Sequence, residues 1–217
     1  MSRHPDVVPA DAADLRTLSQ VIADAFHDLA PSGWLIADPA ARAKIFPGYF
    51  RLYVEHAIAA GIVHITPGRA AAALWLRVGA DPAGQPAGYA ERLAAATSPW
   101  TNRFLAFDAA LETRHPAGTA HHHLAILAVR PGRQGQGTGT ALLHACHQAL
   151  DRDGAPAYLE ASDLRTRRLY LRHGYADHGP PIRLPDGPLM YPMWREPRHT
   201  PRPSAGNAYY IPRARGT

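Results

Sequence analysis

The chain has 217 residues, 46% of them hydrophobic, enough for one substantial core and within the usual size of a single domain. Its longest apolar runs, Ala70 to Leu76 and Leu124 to Val129, fall far short of the roughly 20 residues that a membrane-spanning helix needs. The net charge of +5 drops to +1 without residues 198–217, which hold four arginines and no acid, so the body of the chain lacks the basic stripe that nucleic-acid binding requires.

The opening residues, Met1-Ser2-Arg3-His4-Pro5-Asp6, offer neither the apolar run nor the small-residue cleavage site of a secretory signal, which predicts a cytoplasmic protein. Asp11 and Asp14 mark a helix start, and Leu15, Leu18, Ile22, Phe26 and Leu29 follow at three- and four-residue steps, an amphipathic first helix. Asp38-Pro39 is a second N-cap and first-turn pair, and the helical region it opens, to about Ala60, should be kinked or divided into two by Pro47. Ile62–Thr66 and Ala70–Val78, separated by Pro67-Gly68-Arg69, read as a hairpin. Helices are expected from about Pro86 to Ala96 and around Arg103 to Thr113.

The order then becomes strand, turn, helix, strand: His122–Val129, a glycine-rich turn, Gly137–Arg152 and Ala157–Ala161. Cys146 lies among Ala141, Leu142, Leu143, Ala145 and Leu150 on that helix and reads as core filler, not a nucleophile. A short helix from Arg165 to His173 ends at Gly174, and Leu189–Trp194 is a last strand that Pro192 should confine to a bulge or edge. The division expected is one domain, 1–197, and a Pro- and Arg-rich tail, 198–217, of disordered composition.

The glycine-rich turn carries the most chemistry. A strand delivers the chain into Arg130-Pro131-Gly132-Arg133-Gln134-Gly135-Gln136-Gly137-Thr138-Gly139-Thr140, where glycines let successive backbone N–H groups approach a ligand. The following helix adds unpaired N–H groups and the positive end of its dipole, so the segment describes a pyrophosphate cradle. Arg133 and Arg130 can supply charge, and Thr138 and Thr140 hydroxyls. A Walker loop is excluded because no Gly-Lys occurs here, and a dinucleotide-binding turn is disfavoured because Thr140 stands where its third glycine belongs.

Gln134-x-x-Gly137-x-Gly139, preceded by a strand ending Val-Arg-Pro and followed by an apolar helix, resembles the acyl-CoA loop of GNAT acetyltransferases. The resemblance continues through Ala157-Tyr158-Leu159-Glu160-Ala161-Ser162 and Leu169-Tyr170-Leu171-Arg172-His173-Gly174-Tyr175, covers about residues 7–196, and in arrangement is most similar to puromycin acetyltransferase and related actinobacterial enzymes. It implies an α/β (α+β) GNAT fold: a mixed central sheet of about six to seven strands flanked by helices, with a V-shaped splay at the acyl-CoA strand. It also implies acetyl-CoA as co-substrate, bound by Leu127, Ala128, Val129, Arg133, Gln134, Gly135, Gln136, Gly137, Thr138, Gly139 and Thr140. Thr166 departs from the pattern, since such relatives often carry Asn four residues before the Tyr.

Amine acetylation needs a neutral amine, a polarised thioester carbonyl and a proton for the leaving thiolate. Tyr170 falls on the family's general-acid position, and the strand's backbone near Leu127 and Val129 on the position that polarises the carbonyl. For the base, His121, His122 and His123 lead into the same strand with His121 and His123 on one face; His123 stands six residues before Val129, where arylalkylamine acetyltransferases place a proton-relaying histidine, and Glu160 is the next candidate. A metal site is not expected, because adjacent strand residues diverge and no second cluster of ligands is evident. The acceptor pocket implied by the resemblance involves Phe26, Trp34, Asp38, Phe46, Tyr49, Tyr53 and Trp75, with Asp38 or Glu55 as holders of a cation. The expected partner is a small-molecule primary amine, an antibiotic or other aromatic amine included, acted on by a monomer or homodimer with no nucleic-acid or membrane role. Acetylation of a protein N-terminus or lysine, and a non-catalytic CoA-binding module, are the alternatives.

Overall fold

In a computed structural model of the protein, which describes residues 6–79 and 88–198, helices cover both faces of one sheet. The elements are β1 (Val8–Pro9), a single 3-10 turn (Ala12–Asp14), α1 (Leu15–Phe26), α2 (Ala30–Leu35), α3 (Pro39–Ala60), β2 (Gly61–Ile65), β3 (Ala71–Val78), α4 (Tyr89–Thr97), α5 (Thr101–Glu112), β4 (His121–Val129), α6 (Thr138–Asp153), β5 (Ala157–Ala161), α7 (Leu164–Arg172), β6 (Ala176–Asp177), β7 (Ile182–Arg183) and β8 (Leu189–Arg195). Pro86, where the fourth helix was expected to begin, and residues 199–217 of the expected tail lie outside the described residues. Arg198, the first residue assigned to that tail, is held by its N–H to Asp151 Oδ1 at 2.8 Å.

The strands run β1-β2-β3-β4-β5-β8-β6, with β7 pairing on β8, eight strands among the described residues where six to seven were expected, because three are only two residues long. Every pairing is antiparallel except β4 with β5. That parallel contact is brief: His122 pairs with Ala157 and His123 with Tyr158, and no register continues beyond them. From Leu124 onward β4 leaves β5, which is the expected splay. On its other side β4 pairs with β3 throughout, but Leu74 faces Ile126 while Trp75 faces Leu124, so Ala125 is the extra residue of a β-bulge.

One core, with Leu18, Ile22, Phe46, Tyr49, Leu74, Leu93, Phe104, Ile126 and Ala128, fills the face under α1, α3, α4 and α5. The other, with Trp75, Leu124, Leu142, Leu143, Cys146, Leu159, Tyr170 and Met193, fills the face under α6 and α7. Trp75 therefore points away from the first helices and does not join the acceptor pocket. Phe46 is fully buried core as well.

Caps fix the helix starts. Asp11 and Asp14 form a reciprocal capping box, and Asp38 accepts from the N–H groups of Ala40 and Ala41. Pro47 does not divide α3, which runs unbroken over 22 residues. Its ring forfeits one backbone bond, but Phe46, Tyr49 and Phe50 seat the same stretch in the core, with Phe46 and Phe50 edge to face at 5.4 Å. Pro192 likewise lies in an interior strand, between β5 and β6. Its carbonyl accepts the His178 N–H at 2.8 Å, so the side of Pro192 that lacks a donor faces the end of the two-residue β6, where the ladder stops anyway.

Candidate active site

The glycine-rich turn joins β4 to α6. Gly135 and Gly137 hold positive φ (76° and 80°), a region that side chains strain to enter, and Gly137 is the N-cap of α6 with no side-chain cap. The first bond of the helix is Ala141 N–H to the Gly137 carbonyl at 3.0 Å, so the N–H groups of Thr138, Gly139 and Thr140 precede the helical ladder. Uncapped donors at the positive end of a 16-residue helix suit an anion. Beside it, among the described residues, β4 from Leu124 to Val129 has backbone pairing on the β3 side alone. Arg130, Arg133, Gln134 and Gln136 are exposed around the turn; Gln134 closes it by donating to the Val129 carbonyl at 3.3 Å. Thr140 Oγ1 lies 3.2 Å from His173 Nε2. Thr166, the departure from the family pattern, is spent on a capping box with Asp163 that starts α7.

At the point where β4 and β5 part, His123 Nε2 meets Glu160 Oε2 at 2.9 Å. The two base candidates are one unit. Glu160's side chain is 6% exposed. Burial alone would raise its carboxyl, but the facing His123 and His115 outweigh that and hold it well below the usual carboxylate range. His115, absent from the sequence reading, lies in the connection between α5 and β4; its Nδ1 is 3.8 Å from Glu160 Oε1 and its Nε2 is 3.2 Å from His121 Nε2. Tyr158 packs on His115 (4.9 Å) and His123 (5.5 Å), and its hydroxyl ties back to the Arg114 carbonyl at 3.3 Å, which anchors that connection to the sheet. His121 and His123 do share a face, while His122 points to the other. A second group of ligand-bearing side chains thus does meet the histidine run, contrary to expectation: 37 residues separate His123 from Glu160, and only strand pairing unites them.

Tyr170 stands on α7, in the core of the opposite face, edge to face with Tyr175 at 5.7 Å. Burial, and then the nearby Asp163 charge, push its hydroxyl above the ordinary phenol range, so it remains a proton donor at neutral pH. His123 with Glu160 and Tyr170 therefore approach the splay from opposite faces of the sheet.

Of the expected cation holders, Asp38 is consumed in capping α3, and Glu55 is paired with both Arg51 and Arg92. Tyr49 and Tyr53 join hydroxyls at 3.1 Å, and Tyr89 donates to Asp108 at 2.7 Å, a buried polar patch that periodicity did not flag. Trp34 lines a cleft of ≈ 480 Å³ with Gly33, Ala37, Arg103, Ala106, Pro185 and Asp186, its indole N–H bound to the Pro185 carbonyl at 2.8 Å and the Arg103 guanidinium 4.8 Å above its ring. The cleft borders α5, the helix that leads to His115.

Residues 103–177, from α5 through β6, match the family model described as Acetyltransferase (GNAT) domain. The match is to that stretch, and the fold around it is one that solved GNAT acetyltransferases share. Among solved structures the chain is similar to one from Corynebacterium glutamicum described as histone acetyltransferase HPA2 and related acetyltransferase, at 24% identity, covering 92% of this chain and 100% of that one with a TM-score of 0.67. It is also similar to arylalkylamine N-acetyltransferase 2 from Aedes aegypti, at 14% identity, 90% and 100% coverage and a TM-score of 0.61. An agmatine N-acetyltransferase is a further likeness, at 18% identity, 87% and 97% coverage and a TM-score of 0.54. At these identities the likeness is one of fold. No described helix is long and apolar enough to cross a membrane.

Proposed function

We propose that the protein transfers the acetyl group of acetyl-CoA directly to the primary amine of a small molecule. The observation that carries this reading is the divergence of β4 from β5 beside the uncapped N-terminus of α6, with a His–Glu pair on one face and a tyrosine on the other. The residues present fit the co-substrate. The N–H groups of Thr138, Gly139 and Thr140, with Arg133, suit a pyrophosphate, and the open edge of β4 suits the amides of a pantetheine arm. Acetyl-CoA supplies the thioester; the rest is the chain's own work.

His123, by donating its Nε2–H to Glu160, keeps its Nδ1 lone pair as the neutral tautomer and can take the ammonium proton of the acceptor. Backbone N–H groups of β4 near Leu127 and Val129 would polarise the carbonyl as the amine nitrogen forms its bond to carbon. Tyr170 would then give its proton to the thiolate as the carbon–sulfur bond breaks. The cleft at Trp34 and Arg103 is our candidate for the acceptor's approach, and its indole and guanidinium favour an aromatic amine or one bearing an acidic group. The resemblance to puromycin acetyltransferase-like enzymes supports the same class. A thiol-release assay with acetyl-CoA tests the reading against puromycin, arylalkylamines, agmatine, aminoglycosides and lysine or N-terminal peptides. Turnover on a small amine supports it, turnover on peptides alone shifts the acceptor class, and tight acetyl-CoA binding without turnover on any amine overturns it.

A further inference from the structure

The hydrogen bonds around His115 fix which of its nitrogens carries a proton. His121 Nδ1 faces the Thr119 carbonyl at 2.8 Å, and a carbonyl only accepts, so Nδ1 carries the hydrogen and the neutral ring presents a lone pair at Nε2. His115 Nε2, 3.2 Å from that lone pair, must then be the donor. In neutral His115 this leaves a lone pair on Nδ1, directed toward Glu160 Oε1 at 3.8 Å. That oxygen is buried with no hydrogen-bond partner among the described residues. Two electron-rich atoms face each other, and His123 Nε2 stands on the other oxygen of the same carboxylate. A cation between them, whether a proton on His115 Nδ1 or a metal ion, resolves the arrangement.

We propose that His115 Nδ1, His123 Nε2 and Glu160 form a binding site for a divalent transition metal of the zinc class. The three ligand atoms lie within 4.8 Å of one another. Tetrahedral zinc places nitrogen and oxygen ligands about 3.4 Å apart, so the 3.8 Å His115–Glu160 separation must close by about 0.4 Å, the 2.9 Å His123–Glu160 contact must open by about 0.5 Å, and the widest separation, within 4.8 Å, must close by at most about 1.4 Å. Two imidazoles and a carboxylate are a ligand set zinc favours, and the fourth position stays open for water. His121 holds the outer position: by accepting from His115 Nε2–H it orients that ring with its lone pair toward the metal. The metal has a predictable effect on chemistry. Coordination at His123 Nε2 moves that ring's hydrogen to Nδ1 and removes the lone pair that collects the amine proton, so bound metal is a reversible inhibitor. The inhibition rests on His123 being the base; the binding does not.

The test titrates the full chain, prepared without a polyhistidine tag, with Co²⁺. We expect one equivalent to bind with the intense visible absorption of tetrahedral cobalt, and Zn²⁺ to displace it. His115→Ala and Glu160→Gln should each weaken binding by at least about 100-fold and His121→Ala by about 10–100-fold, with CoA binding retained as the check on folding. His115 sits in a connection and not in a strand, so its variant keeps the test decisive if Glu160→Gln misfolds. The proposal falls if no stoichiometric cobalt spectrum appears, or if the spectrum survives both His115→Ala and Glu160→Gln. In the acetylation assay Zn²⁺ should suppress turnover and a chelator restore it. Stoichiometric binding without suppression leaves the site standing and overturns His123 as the base.

Discussion

Gly139→Ala separates what the fold needs from what the ligand needs. Gly139 is the second residue of α6, and a methyl group built there meets Leu127 Cδ2 at 3.8 Å and Val129 Cγ2 at 4.0 Å, ordinary contacts that require nothing to move. Its backbone is not in the positive-φ region. Alanine in a helix is favoured over glycine by about 0.5–1 kcal/mol, so the variant should be as stable as the parent or more so. The added methyl nevertheless lies over the side chains of Leu127 and Val129, where β4 has lost β5 and where the pantetheine arm would run. We expect acetyl-CoA affinity to fall at least about 10-fold, 1.4 kcal/mol, by calorimetry, while the urea midpoint holds or rises. Gly137→Ala is the contrast. Nothing among the described residues lies within 4 Å of its added methyl, but φ is 80°, so it should cost about 1–2 kcal/mol of stability through backbone strain. Unchanged acetyl-CoA affinity in Gly139→Ala would refute the claim that close approach at this turn serves the ligand.

Two further predictions follow from the same faces of the sheet. Tyr170→Phe removes a hydroxyl with no hydrogen-bond partner among the described residues, so its stability should be unchanged while turnover falls about 10²–10⁴-fold at constant acetyl-CoA affinity; thiol release and calorimetry together check this. His147, on α6, packs edge to face on Trp75 at 5.8 Å and meets the Tyr175 hydroxyl at 3.0 Å; burial, and next the Arg195 charge, press it down from its ordinary 6.5 to about 3. A depressed histidine is neutral in the fold, so its contribution is intact above pH 6.5 and is lost as pH falls: at pH 5 the loss is about 2 kcal/mol. His147→Gln should abolish that component, so urea unfolding at pH 7.5 and pH 5 should show a smaller drop in the variant, and equal drops would refute the assignment.

Much of this site was legible because its chemistry is local in sequence. The turn, the uncapped helix after it and the strand before it depend on neighbouring residues, and Gly135, Gly137 and Gly139 announce them. His123 and Glu160 were each recognisable, but their union was not, since it depends on the register between two strands. His115 escaped notice because the connection that carries it has no periodicity; the signal was the concentration of histidines at 115 and 121–123, which reads as a cluster only once Tyr158 has pinned the loop. Pro47 and Pro192 misled for the same reason in reverse. Each breaks a local rule at a place where a buried aromatic face or a ladder's end removes the consequence.

The bulge at Ala125 explains why the proposed base and the proposed acid come from opposite faces. Strict alternation counted back from Val129 puts Leu127, Ala125, His123 and His121 all on the face of α6, with Tyr170. Leu124 and Ile126 instead fall in different cores although two residues apart, which alternation forbids and one inserted residue requires. The insertion turns His121 and His123 to the other face, where Tyr158 and Glu160 of β5 and the end of α5 are waiting. It sits at the first position where β4 parts from β5, so one irregularity accompanies the open edge and aims the histidines. A chain with perfect alternation through this strand would carry its histidines on the face of α6 and take from Glu160 its 2.9 Å partner, leaving it His115 alone at 3.8 Å, and a buried carboxylate without a close partner is costly.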